Sequence, residues 1–188
     1  MAEQGARLIV LSGLPGTGKS AVADGLGRAL EQPVLSVDPI ESAILRAGIE
    51  RRFETGLAAY VVVEELADRS LANGLDAIVD AVNSVDDARD MWRELAQRHG
   101  VPLLIIECTV TDLAVHASRL AGRNRGLALP EPTWASVERR RREWTSWPEP
   151  HLTLDATDPI EDNVAKALDF VESRQPAASL RSSATASS

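Results

Sequence analysis

The sequence predicts an α/β fold in which a parallel β-sheet lies between two layers of helices. Short apolar runs alternate along the chain with segments of helical periodicity, which is typical of βαβ units joined by right-handed crossovers. The first apolar run leads directly into a glycine-rich turn and a helical pattern, as expected of such a unit. The chain has 188 residues, enough to bury a core without disulfides, so we expect one domain over residues 1–175.

Five apolar runs, each bounded by turn-forming residues, are predicted to form the strands. They cover residues 8–11, 34–37, 75–80, 102–108 and 151–155. The segments between them have apolar residues at helical spacing, as at Val22, Leu26 and Leu30 in the first. These patterns predict helices over residues 20–31, 38–48, 54–72, 85–98, 111–121, 134–145 and 159–173.

Specific signals mark several of these boundaries. Asp38 followed by Pro39 and Glu41 is typical of a helix entry with Asp38 as the N-cap residue. Asn73-Gly74 ends the third helix, and Gly100 ends the fourth. Residues 176–188 are rich in Ala and Ser and have no periodicity, so we expect a disordered tail there.

Composition narrows the class of protein. The formal net charge of −8 disfavours binding to nucleic acid as the general role, because the whole protein repels polyanions. The single cysteine, Cys108, excludes an intramolecular disulfide, and its apolar neighbours indicate a core residue. The sequence has no run approaching 18 apolar residues and no signal-peptide pattern at its start, so we expect a cytoplasmic protein without a membrane partner.

The glycine-rich turn after the first strand fits the phosphate-binding pattern G-x-x-x-x-G-K-[ST]. It consists of Gly13, Leu14, Pro15, Gly16, Thr17, Gly18, Lys19 and Ser20. Its glycines allow backbone N–H groups to surround phosphate oxygens, and the positive end of the next helix points toward them. In this motif Lys19 reaches the β- and γ-phosphates and the Ser20 hydroxyl holds Mg²⁺. The motif, a P-loop, therefore predicts binding of ATP or GTP with Mg²⁺.

Polar residues also follow the second and third strands. Asp38 lies after the second strand, and Asp80 and Asn83 lie at and after the end of the third. Because ligands of parallel sheets bind outside the carboxyl ends of the strands, we expect these residues near the P-loop. Structural roles remain open for both carboxylates. Asp38 would also serve as a helix cap, and Asp80 as a turn residue before a helix capped by Ser84 and Asp87.

The segment from Gly122 to Pro132 is polar and interrupted by Gly and Pro, which is typical of a mobile lid between two helices. Arg119 and Arg123 are four residues apart at its start, on one predicted helical face, and Arg125 follows. The run at residues 139–142 consists of four arginines, but consecutive residues spread around a helix, so we expect a solvated surface there.

With the P-loop, the carboxylates after the second and third strands and the arginine-bearing segment, the chain resembles the small P-loop phosphotransferases. In layout it is similar to the 5'-hydroxyl polynucleotide kinase domain, the chloramphenicol phosphotransferases and the zeta-toxin kinases. The resemblance covers residues 7 to 172. It implies a three-layer P-loop NTPase sandwich whose five-stranded parallel sheet has the order 2-3-1-4-5, and a P-loop kinase domain over residues 1–175.

The resemblance also implies roles for individual residues. Asp38 matches the position of the general base and contacts the acceptor, and Asp80 matches a residue that positions metal or substrate. Asn83 belongs to the same third-strand motif and is a candidate substrate contact. Arg119 and Arg123 match the lid arginines that hold the triphosphate, with Arg125 as an additional nucleotide-binding candidate.

Three functions fit these observations. The first is an NTP-dependent kinase that transfers the γ-phosphoryl group to a hydroxyl of a small molecule, such as a metabolite, sugar, nucleoside or antibiotic. The second has the same chemistry with a nucleic-acid 5' end as the acceptor, and the acidic balance of the chain disfavours it. The third is a nucleotide-switch ATPase acting on a protein partner. It is disfavoured by Ala81, because ring ATPases usually have Glu after the strand-end Asp to orient water.

Overall fold

A computed structural model describes residues 5–174, and the predicted tail lies outside them. The strands are β1 (Leu8–Ser12), β2 (Val34–Ser36), β3 (Ala77–Asp80), β4 (Leu103–Thr109) and β5 (Leu152–Asp155). The helices are α1 (Lys19–Ala29), α2 (Val37–Arg46), α3 (Phe53–Ala72), α4 (Asp86–His99), α5 (Leu113–Ala121), α6 (Trp134–Glu143) and α7 (Ile160–Glu172). Every predicted strand and helix is present, with boundaries shifted by a few residues.

The five strands form one parallel sheet in the order β2-β3-β1-β4-β5. This arrangement confirms the fold class and the strand order that the resemblance implies. In the register of the central strands, Leu11 of β1 is opposite Asp80 of β3, and Ser12 is opposite Glu107 of β4. The P-loop therefore starts level with the polar residues at the ends of its two neighbouring strands.

Alternate residues of β1 face two different layers of helices. Leu8 and Val10 belong to a buried cluster with residues of α3 and α4, including the fully buried Trp92. Ile9 and Leu11 belong to a second buried cluster with residues of α1 and α7, including Leu26. Both faces of the sheet are thus covered, as is typical of parallel sheets. Among the helices within residues 5–174, none is long and apolar enough to cross a membrane.

The predicted capping role of Asp38 is wrong. Helix α2 begins at Val37, its N-cap residue is Ser36, and Asp38 is in the first turn. The helix starts early because Val37 is buried against the core while the Ser36 hydroxyl donates to Asp80 of the neighbouring strand. Pro39 is still tolerated, since backbone N–H groups in the first turn have no partner within the helix.

The alternative roles for Ser84 and Asp87 are also wrong. The N-cap residue of α4 is Val85, and it makes no side-chain capping hydrogen bond. Asp87 lies inside the first turn of the helix, where its charge favours the positive end of the helix dipole. Neither side chain therefore supplies the cap that the capping interpretation of this segment required.

Candidate active site

The P-loop has a backbone that only glycine adopts easily. Gly13, Gly16 and Gly18 have φ angles of 149°, 89° and 77°. A Cβ atom on Gly13 would lie 2.4 Å from the Cys108 carbonyl oxygen, so this glycine is also required by its neighbours. The Thr17 hydroxyl donates to the Leu14 carbonyl over 2.8 Å and closes the turn. The loop is therefore held in one conformation by its own residues.

Neighbouring elements support the loop from two sides. On one side, the His116 ring of α5 donates from Nε2 to the Pro15 carbonyl over 2.8 Å, and the ring is almost fully buried. On the other side, the Gly13 N–H and the Ser12 hydroxyl both donate to the Val82 carbonyl, which follows β3. These contacts join the loop to α5 and to the end of β3.

Lys19 and Asp80 face each other beneath the P-loop, and both are buried. The Lys19 Nζ atom is 3.8 Å from Asp80 Oδ1, which is beyond hydrogen-bond length, and Oδ1 has no hydrogen-bond partner. The other carboxylate oxygen, Oδ2, accepts from the Ser36 hydroxyl over 2.9 Å. The site thus has one free carboxylate oxygen, close to the P-loop lysine.

The unpaired Oδ1 atom of Asp80 indicates whether the site suits Mg²⁺. A buried carboxylate oxygen without a donor is a fitting partner for a hard cation or for a water bound to it, and Ser20 at the start of α1 adds a hydroxyl. Within residues 5–174, no group of three or more His, Cys, Asp or Glu side chains could hold a metal ion. Mg²⁺ would therefore depend on these two residues together with nucleotide oxygens and water, as usual for this ion.

Asp38 forms an ion pair with Arg125 across the site. The Arg125 Nη1 group donates to Asp38 Oδ2, although the two residues are 87 positions apart. Burial raises the pKa of the Asp38 carboxyl, but the charges of Lys19, Arg125 and Arg123 together hold that pKa below its ordinary value. The carboxylate is therefore ionised at neutral pH, and it is held in place by a residue from the segment predicted to be a lid.

Glu131 organises the segment between α5 and α6. Its Oε1 atom accepts from the Arg125 backbone N–H over 3.1 Å, and its Oε2 atom lies 3.7 Å from Arg123 Nε. The Arg123 Nη1 group is buried without a hydrogen-bond partner. Burial and the nearby Arg125 charge lower the Arg123 pKa, and surrounding carboxylates oppose that effect. Arg123 is thus a cation with donor capacity left for an anionic ligand.

The same segment is attached to α2. The Ala128 N–H donates to the buried Ser42 hydroxyl over 2.8 Å, and the Leu129 side chain is buried. Together with the Arg125 contact to Asp38, these interactions place residues 122–133 over the ends of β2 and β3. They cover a site made by other elements, and the mobility of the segment stays a prediction.

Two of the cavities that border the P-loop have different linings. The first, which we name the Asp38 cavity, has a volume of about 580 Å³. It is bounded by Pro15, α2, α3, residues 123–133 and α6, and its lining includes Asp38, Glu41, Tyr60, Arg123, Arg125 and Glu131. The second, the Arg119 cavity, has a volume of about 490 Å³. Its lining includes Thr17, Gly18, Arg119, Ala156, Thr157 and Asn163.

The prediction that Arg119 and Arg123 share one helical face is wrong. Helix α5 ends at Ala121, with Gly122 as its C-cap residue, so Arg123 lies outside the helix. The chain turns at this point, and the two arginines line different cavities. Arg123 lies with Asp38, whereas Arg119 is exposed beside the P-loop residues Thr17 and Gly18.

Asn83, a candidate substrate contact, is fully buried and lines neither cavity. Its φ angle is 54°, its side-chain N–H group donates to the Leu11 carbonyl, and its Oδ1 atom accepts from Trp92 Nε1 over 2.9 Å. The Asn83 backbone N–H donates to the Tyr60 hydroxyl over 3.2 Å. Because both ends of the amide are hydrogen-bonded internally and the side chain is fully buried, Asn83 is not placed to contact a substrate and instead shapes the turn after β3.

Arg89 fixes the same turn from below. This buried guanidinium donates from Nε to the Asn83 carbonyl over 2.9 Å and from Nη2 to the Thr145 carbonyl over 2.5 Å. It also lies 5.0 Å from the centre of the Trp147 ring, a cation–π contact. Arg89 therefore connects the site to the segment between α6 and β5.

His116 contacts the P-loop, and no pattern in the sequence predicts this contact. It has no metal-ligand spacing in the sequence, and its contact with Pro15 spans 101 positions. Ser36 was missed for a similar reason, because its hydroxyl contacts Asp80 only once β2 and β3 are paired. Arg125 is a nucleotide-binding candidate on the sequence alone, but its pairing with Asp38 depends on the tertiary structure.

Sequence comparison with protein families gives a match consistent with this geometry. A family model described as an AAA domain matches residues 8–144, which is most of the chain. This protein therefore belongs to that family of P-loop domains. No curated protein matches the sequence.

Several solved structures of similar shape are kinases by name. A Chloroflexus aurantiacus protein named as a candidate kinase has 22% identity and a TM-score of 0.73, covering 89% of this chain and 99% of its own. A gluconokinase from Sinorhizobium meliloti has 20% identity and a TM-score of 0.64, covering 92% and 94%. The APS kinase of Mycobacterium tuberculosis, solved with AMPPNP and APS, has 19% identity and a TM-score of 0.68, covering 90% and 99%. At these identities the likeness establishes the fold that the chains share.

Proposed function

We propose that this protein is an NTP-dependent kinase that transfers the γ-phosphoryl group of ATP or GTP to a hydroxyl of a small molecule. The observation that carries the proposal is that two separate cavities border the P-loop, one lined by Asp38 and the other by Arg119. Phosphoryl transfer between two bound molecules needs a donor site and an acceptor site that meet at the γ-phosphate. A switch ATPase needs only the nucleotide and a water, so the second cavity favours a kinase.

The Arg119 cavity is the proposed nucleoside site. It borders Thr17 and Gly18, next to the backbone N–H groups that would receive the phosphates. Arg119 is exposed at its edge, where a guanidinium can stack on the face of a purine or contact a phosphate. The triphosphate would run along the P-loop from this cavity toward Lys19.

Lys19 and Arg123 are the proposed cationic partners of the transferring group. Both are largely buried, and Arg123 has a guanidinium nitrogen without a partner. In such a place a positive charge stabilises the oxygens of the transition state more strongly than it would in water. When bound, Mg²⁺ would neutralise charge on the β- and γ-phosphate oxygens, with Ser20 and Asp80 as its protein-side partners.

Asp38 is the proposed group that orients the acceptor hydroxyl and takes its proton. Its oxygens accept hydrogen bonds, and the neighbouring cations keep it ionised, so it can receive a donor hydroxyl at neutral pH. A depressed pKa makes a weak base, which is sufficient for a loose transition state in which the proton leaves late. Arg125 would keep the carboxylate in position.

A 5'-hydroxyl nucleic acid is the second candidate acceptor. Arg51, in the connection before α3, and Arg140, in α6, line the Asp38 cavity, and both are exposed. Two arginines at such a position could contact phosphates on either side of a terminal hydroxyl. The net charge of −8 argues against a long polyanionic ligand, so the small molecule remains the main proposal.

A phosphoryl-transfer screen tests the proposal. Mg-ATP and Mg-GTP are incubated with sugars, nucleosides, hydroxylated antibiotics and 5'-hydroxyl oligonucleotides, and products are detected by the mass gain of one phosphate. The proposal expects a product with at least one small acceptor and none with Lys19→Ala protein. A product with oligonucleotides alone would favour the second candidate. Nucleotide hydrolysis that stays the same with every acceptor would favour a switch ATPase.

A further inference from the structure

An apolar groove lies at the surface where α3 and α4 begin. It has a volume of about 290 Å³, and Asp87 also borders it. Its aliphatic and phenyl lining consists of Phe53, Leu57, Val85, Ala88 and Met91. Three of these side chains are unusually open to solvent, since Phe53 is 83% exposed, Leu57 48% and Val85 57%. Single exposed apolar residues are ordinary, whereas several that line one concave surface form a candidate binding site.

The groove is continuous with the Asp38 cavity. Gly56, Tyr60 and Ser84 line both spaces. Gly56 leaves the junction open, because a Cβ atom there would find only the Glu41 carboxylate, at 3.9 Å, within contact range. The junction also has a hydroxyl on each side, from Tyr60 and Ser84. One ligand could therefore reach from the polar cavity into the apolar groove without displacing backbone.

We propose that this groove is an apolar subsite for the phosphoryl acceptor, which would be an amphipathic alcohol. Its hydroxyl would enter the Asp38 cavity, and its aromatic or branched aliphatic part would cover Leu57, Val85 and Met91. This inference rests on the proposed kinase function. It narrows the acceptor from any hydroxyl compound to one with an apolar group, and it disfavours simple sugars and polyols.

The size of the groove sets the size of that apolar group. An engineered apolar cavity of about 150 Å³ in another protein binds benzene. The groove volume of about 290 Å³ therefore suits one ring with a short chain, or a fused pair of rings. A second copy of this chain is a poorer occupant. A stable dimer buries roughly 1,200 Å² or more, so its interface would extend well past the groove. Beyond the groove, the exposed face of α3 carries the charged Glu65–Arg69 ion pair instead of further apolar surface.

Methyl NMR of Met91 measures occupation of the groove directly. The chain has two methionines, so ¹³C-methyl labelling gives a simple spectrum, and Met91→Leu assigns the signal. The full-length protein is titrated with 2-phenylethanol and, separately, with ethanol, which has the hydroxyl without the ring. We expect a saturable shift of the Met91 signal in the millimolar range with 2-phenylethanol and no saturable shift with ethanol. The absence of a saturable shift with 2-phenylethanol, or equal shifts with both alcohols, overturns the inference.

Variants at exposed positions identify where the probe binds. Leu57→Gln and Val85→Ser should each weaken 2-phenylethanol binding about three- to tenfold, because each removes apolar surface from the groove. Leu113→Gln, a change at an exposed residue outside the groove, should leave it unchanged. Equal affinity in all three variants would overturn the assignment. So would sedimentation that shows a wild-type dimer and a Leu57→Gln monomer, since a second copy would then occupy the groove.

Kinetic measurements test whether the groove takes part in binding the phosphoryl acceptor. Among the alcohols that the protein phosphorylates, those with a ring should have the higher kcat/KM, and the advantage should shrink about three- to tenfold in Leu57→Gln. An advantage unchanged by Leu57→Gln overturns the subsite. Failure of the proposed function is distinguishable, because it would appear as the absence of phosphoryl transfer to every alcohol, whereas the Met91 signal reports the groove by itself.

Discussion

The Asp38→Asn variant distinguishes two possible roles of the Asp38 carboxylate, action on the acceptor hydroxyl and stabilisation of the fold. Asn has nearly the same shape as Asp, and its side-chain oxygen can still accept the hydrogen bond that Arg125 donates to Asp38. The substitution removes the negative charge that we propose to orient a hydroxyl and to receive its proton. We expect kcat to fall by about 10² or more, with nearly unchanged nucleotide affinity.

The stability cost of the same change can be worked from the contacts. Asp38 lies in the first turn of α2, where a negative charge contributes roughly 0.3–1 kcal/mol against the helix dipole. Its ion pair with Arg125 is about one-third to one-quarter exposed, so the pair adds on the order of 1 kcal/mol at most. A loss of up to about 2 kcal/mol lowers Tm by at most roughly 4–8 °C in a domain of this size.

The assays are steady-state kinetics with an acceptor found in the screen, nucleotide binding by calorimetry, and thermal unfolding. The control is Asp86→Asn, which removes an exposed carboxylate from the first turn of α4. It should lower Tm slightly and leave kcat unchanged. The loss in Tm is expected in either case, so turnover decides: if Asp38→Asn keeps wild-type kcat, Asp38 is structural. The proton acceptor must then be sought at Asp80, whose Oδ1 atom is free.

Three further predictions concern binding, transfer and ionisation. Lys19→Ala should lose most of the thermal stabilisation by Mg-ATP or Mg-GTP, which in the wild type reaches roughly 2.7 kcal/mol at a nucleotide concentration of 100 times Kd. An undiminished Tm shift in a melting assay would contradict nucleotide binding by the P-loop. Arg123→Ala should lower kcat by about 10³ while Arg119→Ala mainly raises the nucleotide KM, and equal effects in a kinetic comparison would contradict their separate cavities. Tyr60, the single tyrosine, should titrate near pH 12, because burial raises its pKa to about 12. The neutral phenol stabilises the folded state fully below pH 10, and this contribution is lost as the pH rises from 10 to 12. Absorbance at 295 nm measures the ionisation, and a midpoint near pH 10 would contradict the burial of Tyr60.

The sheet was predictable because its signals are local. Apolar runs bounded by turn residues identified every strand, and the P-loop pattern identified the β1–α1 turn. The resemblance to small P-loop phosphotransferases supplied the strand order, which the structure confirms. One local rule failed at Asp38-Pro39, where capping chemistry placed the N-cap residue of the helix two residues too late. Burial of Val37 decided that boundary, and local sequence does not reveal burial.

The site was predictable only in part, because its contacts join distant parts of the chain. The positions of Lys19 and Asp80 follow from the ends of β1 and β3, which pair in register. The Asp38–Arg125 pair and the His116–Pro15 contact form only when residues 122–133 and α5 pack over the sheet. Their sequence separations place them beyond any spacing rule.

Asn83 shows a different limit of sequence reasoning. A polar residue at a strand end suits either a ligand or a buried turn, and composition does not distinguish the two. The left-handed φ angle of 54° and the contacts with Leu11 and Trp92 assign it to the turn. Localisation in the cytoplasm, the boundaries of the kinase domain and the tail over residues 176–188 stay predictions.

The fate of the γ-phosphoryl group tests the central claim most directly. Wild-type protein and the Asp38→Asn variant are incubated with γ-³²P-labelled ATP, Mg²⁺ and a small-molecule extract, and the labelled products are separated. The two-cavity arrangement predicts that the wild type transfers label to an organic molecule in an alkali-stable phosphate ester, and that the variant transfers about 10² times less. Label found only in inorganic phosphate, at equal rates for both proteins and independent of the extract, would contradict it.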